Sequence, residues 1–175
     1  MENRLKENKQ AFPLVSVVIP CYNHEKYICD CIQSVLEQDY KNVELIIIDD
    51  GSKDNSIQQI QSMISACEKR FVRFEFRNRE IKGVAASLNE GLDWAKGKYF
   101  TVIASDDLMA KHKIPSLVNH LESSNNNYGV AFGDASFIDE YGERLLLDIQ
   151  INKRKKLNII SKSFHLNFNI HCKIT

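Results

Sequence analysis

Short runs of apolar, mostly β-branched residues alternate along this chain with segments whose apolar residues recur at helical spacing. Residues 15–20, 43–48 and 99–104 are runs of the first kind, and residues 71–76 alternate like a strand near a sheet edge. The segments between them repeat their apolar residues every three or four positions, which is typical of helices with one buried face. This β-α-β-α-β-α-β succession predicts a mainly parallel sheet with right-handed crossovers. The fold class is therefore α/β, with helices flanking the sheet in an α/β/α sandwich.

Some individual elements can also be placed. We expect a helix over residues 25–38, another over 111–121 and a strand over 128–137. The third helix should end at Gly97, since glycine is a typical C-cap residue. We expect this helix to run through Val84, Leu88, Leu92 and Ala95.

Two pairs of adjacent aspartates, Asp49–Asp50 and Asp106–Asp107, directly follow two of the predicted strands. Ligands of an open parallel sheet collect at the carboxyl ends of its strands, so we expect the four carboxylates in one crevice. Carboxylates that close would raise one another's pKa values unless positive charge joined them. A divalent cation held by one or two carboxylates and substrate phosphates would supply that charge. The alternative is that the aspartates cap turns or helices.

Composition allows one domain and excludes several classes of protein. The chain has 175 residues, 43% of them hydrophobic, which suffices for one ordinary core. Basic and acidic residues number 23 each, so no global basic field marks a nucleic-acid binder and no nucleic-acid partner is expected. Five cysteines without a CxxC pair favour a reducing cytoplasm. No apolar run approaches the roughly 18 residues of a membrane span.

The basic residues are unevenly distributed. Residues 153–175 contain six lysines and arginines and no acid. Such residues beside anionic lipid contribute roughly 1 kcal/mol each, so one interpretation is peripheral contact with the inner face of the membrane. The other is a solvated charge run, because Lys153–Lys156 has no aromatic anchor beside it.

Four motifs, in this order, carry a resemblance to a known family. They are Val-Ser-Val-Val-Ile-Pro-Cys-Tyr-Asn at 15–23, Glu-Leu-Ile-Ile-Ile-Asp-Asp-Gly-Ser-Lys-Asp at 44–54, Gly-Val-Ala-Ala-Ser-Leu-Asn-Glu-Gly at 83–91 and Ala-Ser-Asp-Asp at 104–107. With them, residues 14–115 resemble the nucleotide-sugar-binding part of the inverting GT-A glycosyltransferases of family 2. The resemblance implies a Rossmann-like GT-A domain over residues 1–175, with residues 116–175 forming part of the acceptor side.

The resemblance also implies the residues that would hold the base of a nucleotide. Pro20 and Tyr22 would lie against it, the tyrosine by stacking worth roughly 1–3 kcal/mol, with Asn23 beside them. Asp50 is similar to the family carboxylate that accepts the N3–H of a uracil-type base. Cytosine has no such N–H, so this contact would select the nucleotide.

Other residues are implied to hold the rest of the donor. Asp106 is similar to the family residue that hydrogen-bonds the ribose, and Asp107 to the one that binds the metal, Mn²⁺ or Mg²⁺. Arg79 is a candidate phosphate contact. Gly83, which has no side chain, would let the backbone approach the nucleotide closely.

The implied activity is metal-assisted, inverting transfer of a sugar from a nucleotide-sugar donor, a UDP-sugar, to a saccharide or lipid-linked saccharide acceptor. The acceptor hydroxyl needs a general base, which in this family comes well after the metal site. No later acid stands in such a motif, so we expect the base beyond residue 175, and a donor-binding remnant without turnover is the alternative. A receiver-type phosphorylation pocket would need an acidic pair after the first strand, where Cys21–Tyr22–Asn23 stands. A homodimer stays open.

Overall fold

The computed structural model describes residues 12–123, 129–133, 135–136 and 138–139, and residues 170–172 for their backbone. Six strands and four helices lie in this described part of the chain. In chain order they are β1 Val15–Cys21, α1 Ile28–Leu36, β2 Val43–Asp49, α2 Ser56–Arg70, β3 Arg73–Asn78, α3 Val84–Trp94, β4 Tyr99–Val102, α4 Lys113–Ser123, β5 Val130–Ala131 and β6 Ile170–Cys172.

The strands form one sheet in the order β3-β2-β1-β4-β6-β5. The first four strands are parallel, whereas β6 runs antiparallel to both β4 and β5. The predicted α/β fold with a mainly parallel sheet is thereby confirmed. As predicted, β3 is the edge strand beside β2.

Both faces of the central strands are covered by helices. Val17 and Ile47 belong to a core that includes buried residues of α1, α2 and α4. Val18 and Ile46 belong to a second core, which α3 completes on the other face. Alternate strand residues point to opposite faces, so a strand covered on both sides is apolar at successive positions.

The face that α3 turns towards the sheet contains two small residues. Leu88 packs against the second core, but Val84 is 60% exposed and Leu92 is 41% exposed. The residues of α3 that are buried are Ser87 and Gly91. Val84 and Leu92, two of the apolar residues that predicted the helix, therefore do not face the sheet, which α3 approaches at Gly91.

Gly91 is the point of closest approach between α3 and β1. A Cβ atom at this position would lie 2.6 Å from Cγ1 and 3.0 Å from Cγ2 of Val18. Overpacking a core costs about 1–3 kcal/mol, while exchanging glycine for alanine within a helix returns about 1 kcal/mol. We expect Gly91→Ala to lower the free energy of unfolding by up to about 2 kcal/mol, as measured by urea denaturation.

The matched background for this test is Val18→Ala, which removes the two methyl groups that the new Cβ would meet. In that background the further cost of Gly91→Ala should shrink or change sign, because residues in contact are not additive. An equal cost of Gly91→Ala in both backgrounds would contradict the close approach.

Gly97 is not the C-cap of α3. The helix ends at Trp94 with Ala95 as its C-cap residue. A Cβ atom on Gly97 would lie 2.6 Å from Oγ and 2.7 Å from the backbone nitrogen of Ser16. The glycine is therefore required by close packing of the segment before β4 against the start of β1.

Other boundaries shift by a few residues. The helix predicted at 25–38 covers Ile28–Leu36, and the one predicted at 111–121 covers Lys113–Ser123. Of the strand predicted at 128–137, the described residues contain only Val130–Ala131. Among the residues that the structure describes, no helix is long and apolar enough to cross a membrane. The basic run Lys153–Lys156 lies outside the described residues.

Candidate functional site

The chain leaves β1, β2 and β4 at one edge of the sheet, which we call the carboxyl rim and define as residues 21–25, 50–54 and 103–108. Cys21 in β1 pairs with Asp49 in β2, and Val18 in β1 pairs with Val102 in β4. Since β1 lies between β2 and β4, the two aspartate pairs occupy the same rim. Neighbouring strands are about 4.8 Å apart, so β2 and β4, on either side of β1, run about 10 Å apart.

Asp49 does not face a crevice. Its side chain is fully buried and accepts hydrogen bonds from the backbone nitrogens of Gly51, at 3.1 Å, and Ser52, at 2.9 Å, and from the Ser52 hydroxyl. The expectation of four converging carboxylates was therefore wrong, and the capping alternative applies to Asp49. The acidic side chains left for a ligand at the two strand ends are those of Asp50, Asp106 and Asp107.

Asp50 is held in one orientation by three donors. Its Oδ1 accepts from the backbone nitrogen of Lys82, at 2.9 Å, and from the guanidinium of Arg79. Its Oδ2 accepts from the backbone nitrogen of Gly83 at 2.7 Å. The Asp50 residue as a whole is 5% exposed, so this carboxylate is fixed by hydrogen bonds and an ion pair within a nearly closed wall of the rim.

Arg79 belongs to the same end of the rim. Its side chain is 10% exposed and donates to Glu90 Oε2 at 2.9 Å and to Ser87 Oγ at 2.9 Å, in addition to Asp50. These contacts hold the guanidinium beside β2, two strands away from Asp107. The guanidinium therefore holds Asp50 in place, and its role as a phosphate contact stays a prediction.

Two glycines shape the loops around Asp50. Gly83 has a φ of 91°, and a Cβ atom there would meet nothing within 4 Å, so its value is the conformational freedom that lets its N–H, at the start of α3, donate to Asp50. Gly51 has a φ of 80°, and a Cβ atom there would lie 3.0 Å from the backbone nitrogen of Ile81. The sequence predicts a turn at Asp50–Gly51–Ser52, and the positive φ of Gly51 agrees with it.

The loop after β1 is tied to the loop after β2 by Asn23. Its backbone nitrogen donates to Ser52 Oγ at 2.9 Å, and its Oδ1 accepts from the backbone nitrogen of Lys53 at 2.7 Å. Asn23 also has a positive φ of 54°, a conformation that asparagine tolerates better than most residues. Tyr22, next to it, is 42% exposed, and Pro20 is half-buried within β1. Tyr22 is thus free of the core, as stacking on a ligand requires.

Asp106 and Asp107 lie in a turn after β4. The backbone nitrogen of Asp107 donates to the Ala104 carbonyl at 3.0 Å, and the Asp106 side chain is 44% exposed. Burial and the neighbouring Asp106 carboxylate raise the pKa of Asp107 above its ordinary value, against the opposing effect of Lys113. The ionised form of Asp107 is therefore less favoured than that of an exposed aspartate, and nearby positive charge would offset this effect.

The carboxylate oxygens at this turn suit a hard cation that is bound by few protein ligands. Within the described residues, no three His, Cys, Asp or Glu side chains are grouped so that they could hold a metal ion by themselves. Two adjacent carboxylates with one raised pKa match an ion such as Mg²⁺ or Mn²⁺ that takes its remaining oxygen ligands from phosphates and water. Asp107, the more buried of the pair, is the residue that fits this ion.

The second half of the β4–α4 connection is anchored to α1, which sequence reasoning missed. Gln38, 4% exposed, donates through Nε2 to the Ala110 carbonyl at 2.8 Å and accepts at Oε1 from the backbone nitrogen of Ile114 at 3.2 Å. Ser34 Oγ accepts from the backbone nitrogen of Met109 at 2.9 Å. A glutamine at the end of an amphipathic helix gives no sequence signal for such contacts.

Two surface cavities, of about 360 and 500 Å³, lie away from the rim. The first is beside β3 and the end of α3, where Arg77 stacks on Trp94 and Arg73 pairs with Glu44. The second is at the end of α1, where Arg70 donates to backbone carbonyls. The arginines that line these cavities, Arg73, Arg77 and Arg70, are engaged within the protein, so the candidate site rests on the chemistry of the rim.

The parallel sheet flanked by helices, with acidic turns after β2 and β4, defines a GT-A type α/β domain. The model of the family named Glycosyl transferase family 2 matches residues 16–174. The chain therefore belongs to glycosyl transferase family 2.

Individual relatives agree with this assignment. An uncharacterised glycosyltransferase of Haemophilus influenzae is 36% identical over 149 residues, which cover 85% of this chain and 56% of that protein. The S. aureus TarS fragment 1–349 in complex with UDP has a TM-score of 0.57 at 25% identity, covering 64% of this chain and 33% of that one. The mannosyltransferase PcManGT from Pyrobaculum calidifontis, in complex with GDP-Man and Mn²⁺, has a TM-score of 0.65 at 21% identity, covering 91% and 44%. The chain spans between 20% and 56% of the length of the first curated relatives it matches.

Proposed function

We propose that this chain is the donor-binding part of a glycosyltransferase that uses a UDP-sugar and a divalent cation, Mn²⁺ or Mg²⁺. One observation carries the proposal. The hydrogen-bonded carboxylate of Asp50 and the Asp106–Asp107 turn lie on the same rim of the sheet. The two stand after β2 and β4, on either side of β1, an arrangement in which a nucleoside diphosphate could have its base at one end and its diphosphate at the other.

The base would bind at Asp50. A carboxylate offers about four lone-pair sites, of which two on Oδ1 and one on Oδ2 are taken by Arg79, Lys82 and Gly83. The remaining site on Oδ2 can accept one N–H, which uracil offers at N3 and cytosine does not. Tyr22, with its exposed ring at the same rim, is the candidate for stacking on the base, and Pro20 and Asn23 position that loop.

The ribose and diphosphate would bind towards β4. Asp106, which is exposed, would accept hydrogen bonds from ribose hydroxyls, and Asp107 would hold the cation. A bound cation stabilises the negative charge that builds on the diphosphate as the sugar leaves. The proposed transfer is inverting, to a saccharide or lipid-linked saccharide. The free cysteines of the described residues, Cys21, Cys29, Cys31 and Cys67, support a cytoplasmic location, at the inner face of the membrane if residues 153–156 bind lipid.

Base selectivity provides the test of the Asp50 assignment. Asp50→Asn should lower the preference for UDP over CDP by about tenfold, because a hydrogen bond to a charged acceptor is worth about 1.5 kcal/mol or more. Titration calorimetry of both nucleotides with Mn²⁺ measures this ratio. Asp106→Asn is the matched control, since it should weaken both nucleotides alike. If the UDP-to-CDP preference of Asp50→Asn equals that of the wild type, the base does not bind at this carboxylate.

The cation and the donor are tested together by thermal shift. UDP with Mn²⁺ should raise the melting temperature more than UDP with chelator, and more than GDP or CDP with Mn²⁺, because a ligand stabilises the state that binds it. Equal shifts for all nucleotides, with or without Mn²⁺, would contradict the proposed donor site.

A further inference from the structure

His24 connects the loop after β1 with the loop after β4 and with the start of α2. Its ring Nδ1 lies 2.7 Å from Oγ of Ser105, in the loop after β4. Its Nε2 lies 4.0 Å from Oδ2 of Asp106, and the side chain is 33% exposed. Its backbone nitrogen donates to Oγ of Ser56, at the start of α2, at 2.9 Å.

The backbone and the side chain of His24 have separate tasks. The backbone carbonyl accepts from the nitrogens of Tyr27 and Ile28, both at 3.0 Å, and the backbone nitrogen binds Ser56. None of these bonds uses the imidazole, so they persist when the side chain is replaced. The described contacts of the ring nitrogens are with the turn that carries Asp106.

The turn needs such a contact because the sheet stops holding the chain just before it. The backbone nitrogen of Ile103 still donates to the Val18 carbonyl at 3.1 Å, but β4 ends at Val102. Ser105 is 2% exposed, whereas Asp106 is exposed. The hydrogen bond between His24 and Ser105 therefore fixes the backbone directly before the solvent-exposed side chain of Asp106. Fixing a binding side chain in advance lowers the entropy lost when the ligand binds.

We propose that His24 is a positioning residue that, through its hydrogen bond with Ser105, orients Asp106 towards the ribose of the bound nucleotide. This inference rests on the proposed function. It does not depend on which ring nitrogen carries the proton, because Ser105 can both donate and accept.

Ribose discrimination isolates this role from general effects on folding. The quantity measured is the ratio of the Kd values of 2′-deoxy-UDP and 3′-deoxy-UDP to that of UDP, by calorimetry with Mn²⁺. His24→Ala should lower the larger of the two ratios by about 3- to 10-fold, the equivalent of one hydrogen bond. His24→Asn should preserve most of the wild-type ratio, because the side-chain amide can reach Ser105 from nearly the same place as Nδ1.

Two further variants complete the test. Ser105→Ala removes the other partner of the same bond and should lower the ratio as His24→Ala does, which keeps the test decisive if His24→Ala does not fold. His112→Ala is the matched control, because His112 lies on the same β4–α4 connection but pairs with Asp39 at 2.9 Å. It should leave the ratio unchanged.

The outcomes separate the two proposals. If Asp106→Asn abolishes the discrimination while His24→Ala and Ser105→Ala keep it, the inference is overturned and the proposed function stands. If the wild-type protein does not bind UDP, or binds UDP and both deoxy analogues equally, the ribose contact of Asp106 fails and the inference fails with it.

Discussion

Replacing Glu44 by alanine should lower the free energy of unfolding by about 3–5 kcal/mol, because it removes one member of a buried ionic network. Glu44 is fully buried in β2 and accepts from Ser16 Oγ, from the backbone nitrogens of Lys96 and Gly97, and from Arg73. Without the carboxylate, buried donors lose their acceptor. Urea denaturation monitored by circular dichroism measures the change.

Glu75→Ala is the matched control for Glu44→Ala. Glu75 also binds the guanidinium of Arg73, at 3.1 Å, but its side chain is 42% exposed. Exposed ion pairs contribute about 0–1 kcal/mol, so this variant should unfold close to the wild-type midpoint. Similar costs for Glu44→Ala and Glu75→Ala would show that the buried network is not what stabilises this end of the sheet.

Glu44 also gives the fold a dependence on acid. Burial alone would raise the pKa of Glu44, but the hydrogen bonds from Ser16, Lys96 and Arg73 outweigh it, so the pKa lies below its ordinary value of 4.5. Because the pKa is lowered in the folded state, the ionised carboxylate stabilises the protein above about pH 4.5, and this contribution is lost as the pH falls through the folded-state pKa. In Glu44→Gln, the free energy of unfolding should therefore fall less steeply as the pH is lowered.

Asp107→Asn should weaken the metal-dependent binding of UDP by about 10- to 100-fold, the scale seen when groups of a metal site are altered. The amide keeps the shape of the side chain but removes the charge that a divalent cation attracts. Calorimetry of UDP with Mn²⁺ measures the loss, and UDP with chelator is the internal control, in which wild type and variant should bind alike. Asp93→Asn, on the exposed side of α3, should change neither value.

The pH dependence of this binding provides an independent check. Since burial and Asp106 raise the pKa of Asp107 above 3.8, protons should compete with the cation at a higher pH than they would for an exposed aspartate. Metal-dependent UDP affinity should therefore fall on acidification before the protein loses stability. Equal affinity in wild type and Asp107→Asn at neutral pH would remove Asp107 from the cation site.

The parallel sheet was predictable because its signal is local. Val15–Pro20 and Val43–Ile48 are short, mostly apolar runs in which Ser16 and Glu44 are the polar residues, a pattern typical of strands covered on both faces. Family membership was predictable for the same reason, since the four motifs are contiguous stretches of sequence. The inward face of α3 was not predictable from periodicity, because the close approach of Gly91 to Val18 joins residues far apart in the chain.

At the carboxyl rim, too, the sequence predicts where the acidic residues lie but not what each side chain contacts. Asp49 and Asp50 are neighbours with the same chemistry, yet one closes the turn with Ser52 and the other faces the rim beside Gly83. Their sequence neighbourhood is shared, so no pattern distinguishes them. The choice depends on the Gly51 turn and on the N–H groups that the 79–83 loop brings to Asp50.

The sequence by itself determined the succession of strands and helices along the chain, the strand ends at which the acidic residues stand and the family to which the chain belongs. All three depend on short contiguous stretches of sequence. The tertiary structure alone decided which carboxylates remain available to a ligand and which side chains hold them. Those choices depend on contacts such as His24 with Ser105, 81 positions apart, and Arg79 with Asp50, 29 positions apart, which form only when the sheet brings its carboxyl ends together.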